Sequence, residues 1–225
     1  MSLPIIQRGI IAAPGGASEF ALGSAVAVAD PGLSLPGLAV PANALLVVGI
    51  GTTGLISLGT TTAFWGATPL GGTAEYMNGS GLLTLQVLVR RTLVQETRTL
   101  TVQNLLDPSA NLVFAIATYL IGPSFLNGEG SGGGAASPAD LAVNLGASDW
   151  GACYVYANAA LGDPGPWLAP ARTLHLGADL RTDPNIPGFA SEAFVGPGPL
   201  GVTHAQKTLN PPANGNWFGV WAALS

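Results

Sequence analysis

Three stretches restrict the fold more than any other feature of this chain: ALLVVGIG at 44–51, LVFAIATYLIG at 112–122 and WFGVWAALS at 217–225. Each is apolar on every side and bounded by turn-forming residues. None reaches the ~20 residues that a membrane-crossing helix needs, so no membrane insertion is expected. An apolar run of this length, rich in β-branched and aromatic residues, reads as a central strand covered by other layers on both faces. Helical signals are weak throughout. No Gly- and Pro-free segment of 11 or more residues sets an apolar i, i+3, i+4, i+7 stripe against a polar face.

Other segments alternate. In 83–91, Leu83, Leu85, Val87 and Val89 share a face, with Leu88 as the exception. In 98–104, Leu100 and Val102 alternate with Thr99, Thr101 and Gln103; in 173–180, Leu174, Leu176, Ala178 and Leu180 alternate with His175 and Asp179. Such strands are wet on one side. The segment TTTAFWGATPLGG at 60–72 puts Thr61, Ala63 and Trp65 on one face. Gly66 permits a close approach or a bulge, and Pro69 can stand only at a strand's edge or end, where its missing N–H is not needed. Turn signals recur about every ten residues. Asp-Pro stands at 30–31, 107–108, 163–164 and 183–184, and Asn78-Gly79 is a hairpin signal. Short strands with this punctuation predict a sandwich or barrel.

Composition narrows the function classes. Of 225 residues only 8% are charged, and 48% are hydrophobic, against a usual charged share of about 25%. The chain has one lysine, Lys207, six arginines and a net charge of −5. Nothing here attracts nucleic acid or an anionic membrane surface. The N-terminal residues lack a secretory signal pattern, so synthesis in a cytoplasm is expected. A surface so poor in charge invites association. The lone Cys153 excludes an intramolecular disulfide and reads as a buried, inert thiol.

Catalytic and metal signals are thin. There are two histidines, His175 and His204. Along a strand, His175 and Asp179 would stand about 13 Å apart. No G-x-S-x-G elbow, phosphate-binding loop or calcium-loop pattern occurs, and one Cys with two distant His makes no structural zinc site. Glu75, Glu96, Glu129, Asp149 and Glu192 could supply carboxylate pairs, but twelve acids form accidental pairs easily. No catalytic residue, metal or cofactor is assigned. The aromatics carry more. Trp150, Tyr154 and Tyr156 share strand parity, and Trp167 lies in the following GDPGPWLAP loop. An exposed Trp in such a loop stacks on sugar rings or anchors a protein partner; a buried one closes the core as a lid. Trp150, Tyr156 and Trp167, with Asn158 and Asp163 as polar fingers, are the candidate ligand or partner contacts. Trp217 and Trp221 share parity and suit a core or an interface.

The glycine-rich stretch NGEGSGGGAASPAD at 127–140 is expected to be flexible. It predicts a projecting loop at about 123–140 inside a single domain spanning 1–225, with a linker between two domains as the alternative. No internal repeat of 20 to 50 residues is evident.

The order of these features, from PANALLVVGI through the W-G-x-x-P-L segment at Trp65–Leu70 to the closing NWFGVWAALS, resembles the jelly-roll-like β-sandwich virion proteins of tailed phages and gene transfer agents. The likeness covers roughly 40–225. It implies an all-β, two-sheet antiparallel β-sandwich of jelly-roll type, with no catalytic motif to carry over. It implies a virion location, as capsid decoration, head spike or tail-associated protein, and partners that are copies of itself and other virion proteins. The alternative is a carbohydrate-binding adhesin that uses the exposed aromatics to hold a host surface glycan.

Overall fold

The structure, a computed structural model, describes residues 11–12, 19–29, 32–53, 61–77, 83–104, 112–121, 126–135, 137–157, 165–181, 189–209 and 217–225. The four Asp-Pro turns and the Asn78-Gly79 turn lie outside them. Among the described residues there is no helix.

The first half of the chain contributes β1 (Ile11–Ala12), β2 (Glu19–Ala29), β3 (Gly32–Val40), β4 (Ala44–Thr53), β5 (Thr61–Trp65), β6 (Thr68–Pro69), β7 (Gly71–Met77), β8 (Leu83–Thr92), β9 (Glu96–Asn104) and β10 (Leu112–Ile121). The second contributes β11 (Leu126–Gly134), β12 (Ala139–Leu145), β13 (Trp150–Ala157), β14 (Trp167–Leu168), β15 (Leu174–Arg181), β16 (Phe189–Val195), β17 (Gly201–Lys207) and β18 (Trp217–Leu224). Among the described residues these form four antiparallel sheets: A, in the order β1-β2-β10-β4-β8-β7; B, β3-β9-β5-β6; C, β11-β18-β13-β16-β15; and D, β12-β17-β14.

The all-β expectation is met and the count of two sheets is not. The sheets stack in the order B, A, C, D, with an apolar layer between each neighbouring pair. Leu100, Val102, Ala63 and Trp65 of sheet B meet Leu46, Val48, Ala115 and Ala117 of sheet A. Leu45, Val47, Ile116 and Leu120 of sheet A meet Ala152, Tyr154, Phe194 and Val220 of sheet C. Cys153, Val155, Trp217 and Trp221 of sheet C meet Leu141, Val143 and Ala205 of sheet D. Over their central strands the inner sheets therefore have no wet face, which is why β4, β10 and β18 are apolar on both sides. Leu88, out of step with Val87 in sequence, faces the A–B layer while Val87 faces the A–C layer.

The two halves repeat one strand order. Setting aside the two-residue β1 and β6, sheet A runs β2-β10-β4-β8-β7 and sheet C runs β11-β18-β13-β16-β15; sheet B runs β3-β9-β5 and sheet D runs β12-β17-β14. Each position in one half has its counterpart in the other. Part of the contact between halves is reciprocal: β7 lies against β11, and their counterparts β15 and β2 lie against each other, as in a two-fold interface, while β18 also packs on β8. At its centre the Tyr154 ring crosses Gly49 so closely that a Cβ on Gly49 would lie 1.8 Å from it, and the Tyr154 hydroxyl donates to the Ile116 carbonyl at 2.9 Å.

The glycine-rich segment is not a projecting loop. Leu126–Gly134 is β11, an edge strand paired with β18, and Ala139–Leu145 is β12. The glycines make room for indoles. Gly130 stands opposite Trp221 and Gly134 opposite Trp217; a Cβ would come within 2.6 Å and 3.1 Å of the respective ring nitrogens. Leu141 from β12 fits over Gly219, between the two tryptophans.

Residues 61–70 follow the expected strand and corner, and Gly71-Gly72 opens β7. Ala63 and Trp65 face the A–B layer, Gly66 takes φ +63° in the turn, and Pro69 ends the edge strand β6.

Candidate functional site

The polar side chains of the second half converge where β15 bulges. Its register with β16 shifts between Leu176 and Asp179. The bulge breaks the expected alternation: Leu174 packs on the C–D layer, Leu180 enters the A–C layer and Leu176 is exposed. Gly177 is required at this point, because a Cβ there would lie 2.6 Å from a Glu192 carboxyl oxygen. Beside the bulge is a cavity of about 250 Å³, lined by Gly165, Pro166, Trp167, Leu176, Gly177, Asp179, Glu192 and Lys207.

Lys207 closes β17 with its side chain 3% exposed. Its ammonium sits 3.3 Å from each Asp179 carboxylate oxygen and 5.9 Å from the centre of the Trp167 ring, within cation–π range. Burial lowers the affinity of this amine for its proton, and Asp179 partly restores it. The Trp167 indole donates to the Ser191 hydroxyl at 2.6 Å, and the Ser191 hydroxyl donates in turn to Asp179 Oδ1. Lys207, Asp179, Ser191 and Trp167 thus form one chain of contacts joining sheets C and D.

Glu192 points the other way, toward sheet A, and accepts from the Thr118 hydroxyl at 2.6 Å. It is 1% exposed. Desolvation raises its pKa to about 8, against a smaller lowering by Thr118. At neutral pH it is an uncharged acid wedged between the halves. Its own burial and the nearby Glu192 push the Cys153 thiol upward, so the inert-thiol reading suits Cys153 in the C–D layer.

The proposed aromatic platform is not assembled. Trp150, Tyr156 and Trp167 are 7%, 2% and 3% exposed. Trp150 and Tyr156 face the A–C layer while Trp167 faces the C–D layer, on opposite sides of one sheet. Strand parity put Trp150 and Tyr156 on one face correctly, but in an inner sheet that shared face is core. Trp167 takes the lid role. Asn158 and Asp163 lie outside the described residues.

The remaining titratable groups are apart from this cluster. His175 is half-buried with its ring 5.0 Å from Trp150, and desolvation lowers its pKa. His204 contacts Asp140 at 2.9 Å on the exposed outer face of sheet D, where Gln206 donates to the same carboxylate. Asp149 accepts from the Gly146 amide and from Asn127. Nearby, Arg172 donates to the carbonyls of Leu145, Gly146, Gly196 and Pro199, pinning three loops together. Among the described residues, no three His, Cys, Asp or Glu side chains gather as metal ligands.

Sequence reading missed Ser191 altogether and treated Lys207, Asp179 and Glu192 separately. One signal was visible in the sequence, a single lysine in a chain so poor in charge; the structure buries it in an ion pair. No family model, curated protein or solved structure matches this chain.

Proposed function

We propose that this chain is a non-enzymatic structural component of a phage-like virion, as capsid decoration, head spike or tail-associated protein, built from two jelly rolls stacked back to back. One observation carries the reading: the nested strand order of each half. Within a half, the first of eight strands pairs with the eighth, the second with the seventh and the third with the sixth. A long hairpin rolled up on itself gives this order, as in jelly rolls of capsid proteins. The fifth strand, β7 or β15, has joined the larger sheet.

Two further features suit a particle component. The polar groups around the one cavity described above bond largely to each other, which favours a rigid body over a substrate-binding cleft. Leu168, Val202 and Leu200 are 52%, 65% and 80% exposed on and beside β14 and β17 of sheet D. Neutral apolar contacts of this kind hold copies and neighbours by fit. The glycan-binding alternative would need a surface other than Trp150, Tyr156 and Trp167.

The test is to label particles from the producing cells with an antibody to the purified chain and image them after washes of rising ionic strength. Charge-steered contacts are screened at about 1 M salt, where the Debye length is ~3 Å. Labelled particles that survive this wash support the proposal. Absence of label, or release by salt alone, contradicts it.

A further inference from the structure

We infer that Lys207 and Asp179 condense into an intramolecular amide, a covalent staple between sheets D and C. The inference rests on the geometry of the pair and is independent of the virion reading.

Lys207 Nζ is 3.3 Å from both Asp179 oxygens. Equal distances put the nitrogen on the plane that bisects the two oxygens, as in a bidentate ion pair, from which a small shift over the face of the carboxyl group brings Nζ against Cγ. Condensation is unfavourable between solvated ions. Here the lysine head is 3% exposed and has already lost most of its water. Burial also makes its proton easier to give up, and the neutral amine is the nucleophile. The carboxyl oxygen that must carry the developing charge, Oδ1, already accepts from Ser191, whose hydroxyl is held by the Trp167 indole. A positioned donor of this kind stabilises a tetrahedral oxyanion. Asp179 is half exposed, which gives the leaving water an exit.

The steps balance without a co-reactant. One proton passes from the ammonium to Oδ2, leaving a neutral amine and a carboxylic acid. Nζ attacks Cγ, and the charge collects on Oδ1 beside Ser191. A second Nζ proton moves to the Oδ2 hydroxyl, the Cγ–Oδ2 bond breaks, and water departs. Nothing is oxidised or reduced. The staple would close a chain whose one cysteine permits no internal disulfide.

The experiment is intact-mass spectrometry of the purified full-length chain after incubation at neutral pH, followed by sequencing of a proteolytic digest. The expected mass is below the sequence mass by one water, with a branched peptide joining the Lys207 and Asp179 segments. Lys207→Arg and Asp179→Ala should restore the full mass. Ser191→Ala should slow appearance of the lighter form severalfold after refolding from denaturant. The wild-type mass needs no variant to fold: a chain that stays at its full sequence mass overturns the inference. So does loss of water without a branched peptide, which would mark a succinimide instead.

Discussion

Glu192 shows how one residue reports the layered packing. A carboxyl with a folded pKa near 8 keeps its proton where the unfolded chain, at about 4.5, has lost it. The folded state then binds more protons, so stability falls as pH rises from about 4.5 to 8 and levels off above. One such group contributes a slope of up to about 1.4 kcal/mol per pH unit. Glu192→Gln retains an oxygen for Thr118 and removes the titration. Urea denaturation across this range should show that slope in the wild type and a shallower one in the variant; parallel curves would place Glu192 in solvent. Gly49 tests the same layer sterically. Gly49→Ala drives a methyl into the Tyr154 ring and should cost more than about 3 kcal/mol, beyond ordinary overpacking. An effect under about 0.5 kcal/mol, typical of surface sites, would remove the A–C contact.

Among elements, β11 departs furthest from expectation. Five of its nine residues are glycine, and composition alone reads that as slack chain. What makes it a strand is β18, whose two indoles need a partner without side chains. The information is split between segments some 90 residues apart in the chain, so no local window holds it. Gly130→Val should destabilise by about 2 kcal/mol or more through collision with Trp221, measured by thermal or urea unfolding; a free loop would tolerate it. The bulge in β15 was hidden for a similar reason: Gly177 is needed only because Glu192 lies beneath it. By contrast, β8, β9 and the β5–β6 corner were legible, because alternation and a Pro-Gly corner are local signals. Leu88 and the two-faced runs were legible as facts. Their meaning, an inner sheet, required the second sandwich.

At the scale of the molecule, the layers account for the scarcity of charge. Two of four sheets never meet water over their central strands, so only sheets B and D and the rims need polar cover. Part of the covering that sequence reading assigned to neighbouring molecules is supplied within the chain, by one half for the other. Residues 1–122 or 123–225 produced alone would expose the apolar face of an inner sheet, larger than soluble monomers usually show. Each should aggregate by itself and be recovered as a complex when the two are co-expressed, as read by size-exclusion chromatography. The repeat escaped sequence inspection because strand order is conserved where residue identity is not: β4 contributes Gly49 where β13 contributes a tyrosine to the same contact. Hydrogen exchange on the intact chain tests the stacked architecture most directly. The account places the slowest amides in β4 and β10 of the first half together with β13 and β18 of the second, with β3, β12 and β17 exchanging faster. Protection confined to one half, or outer strands slower than inner ones, would contradict it.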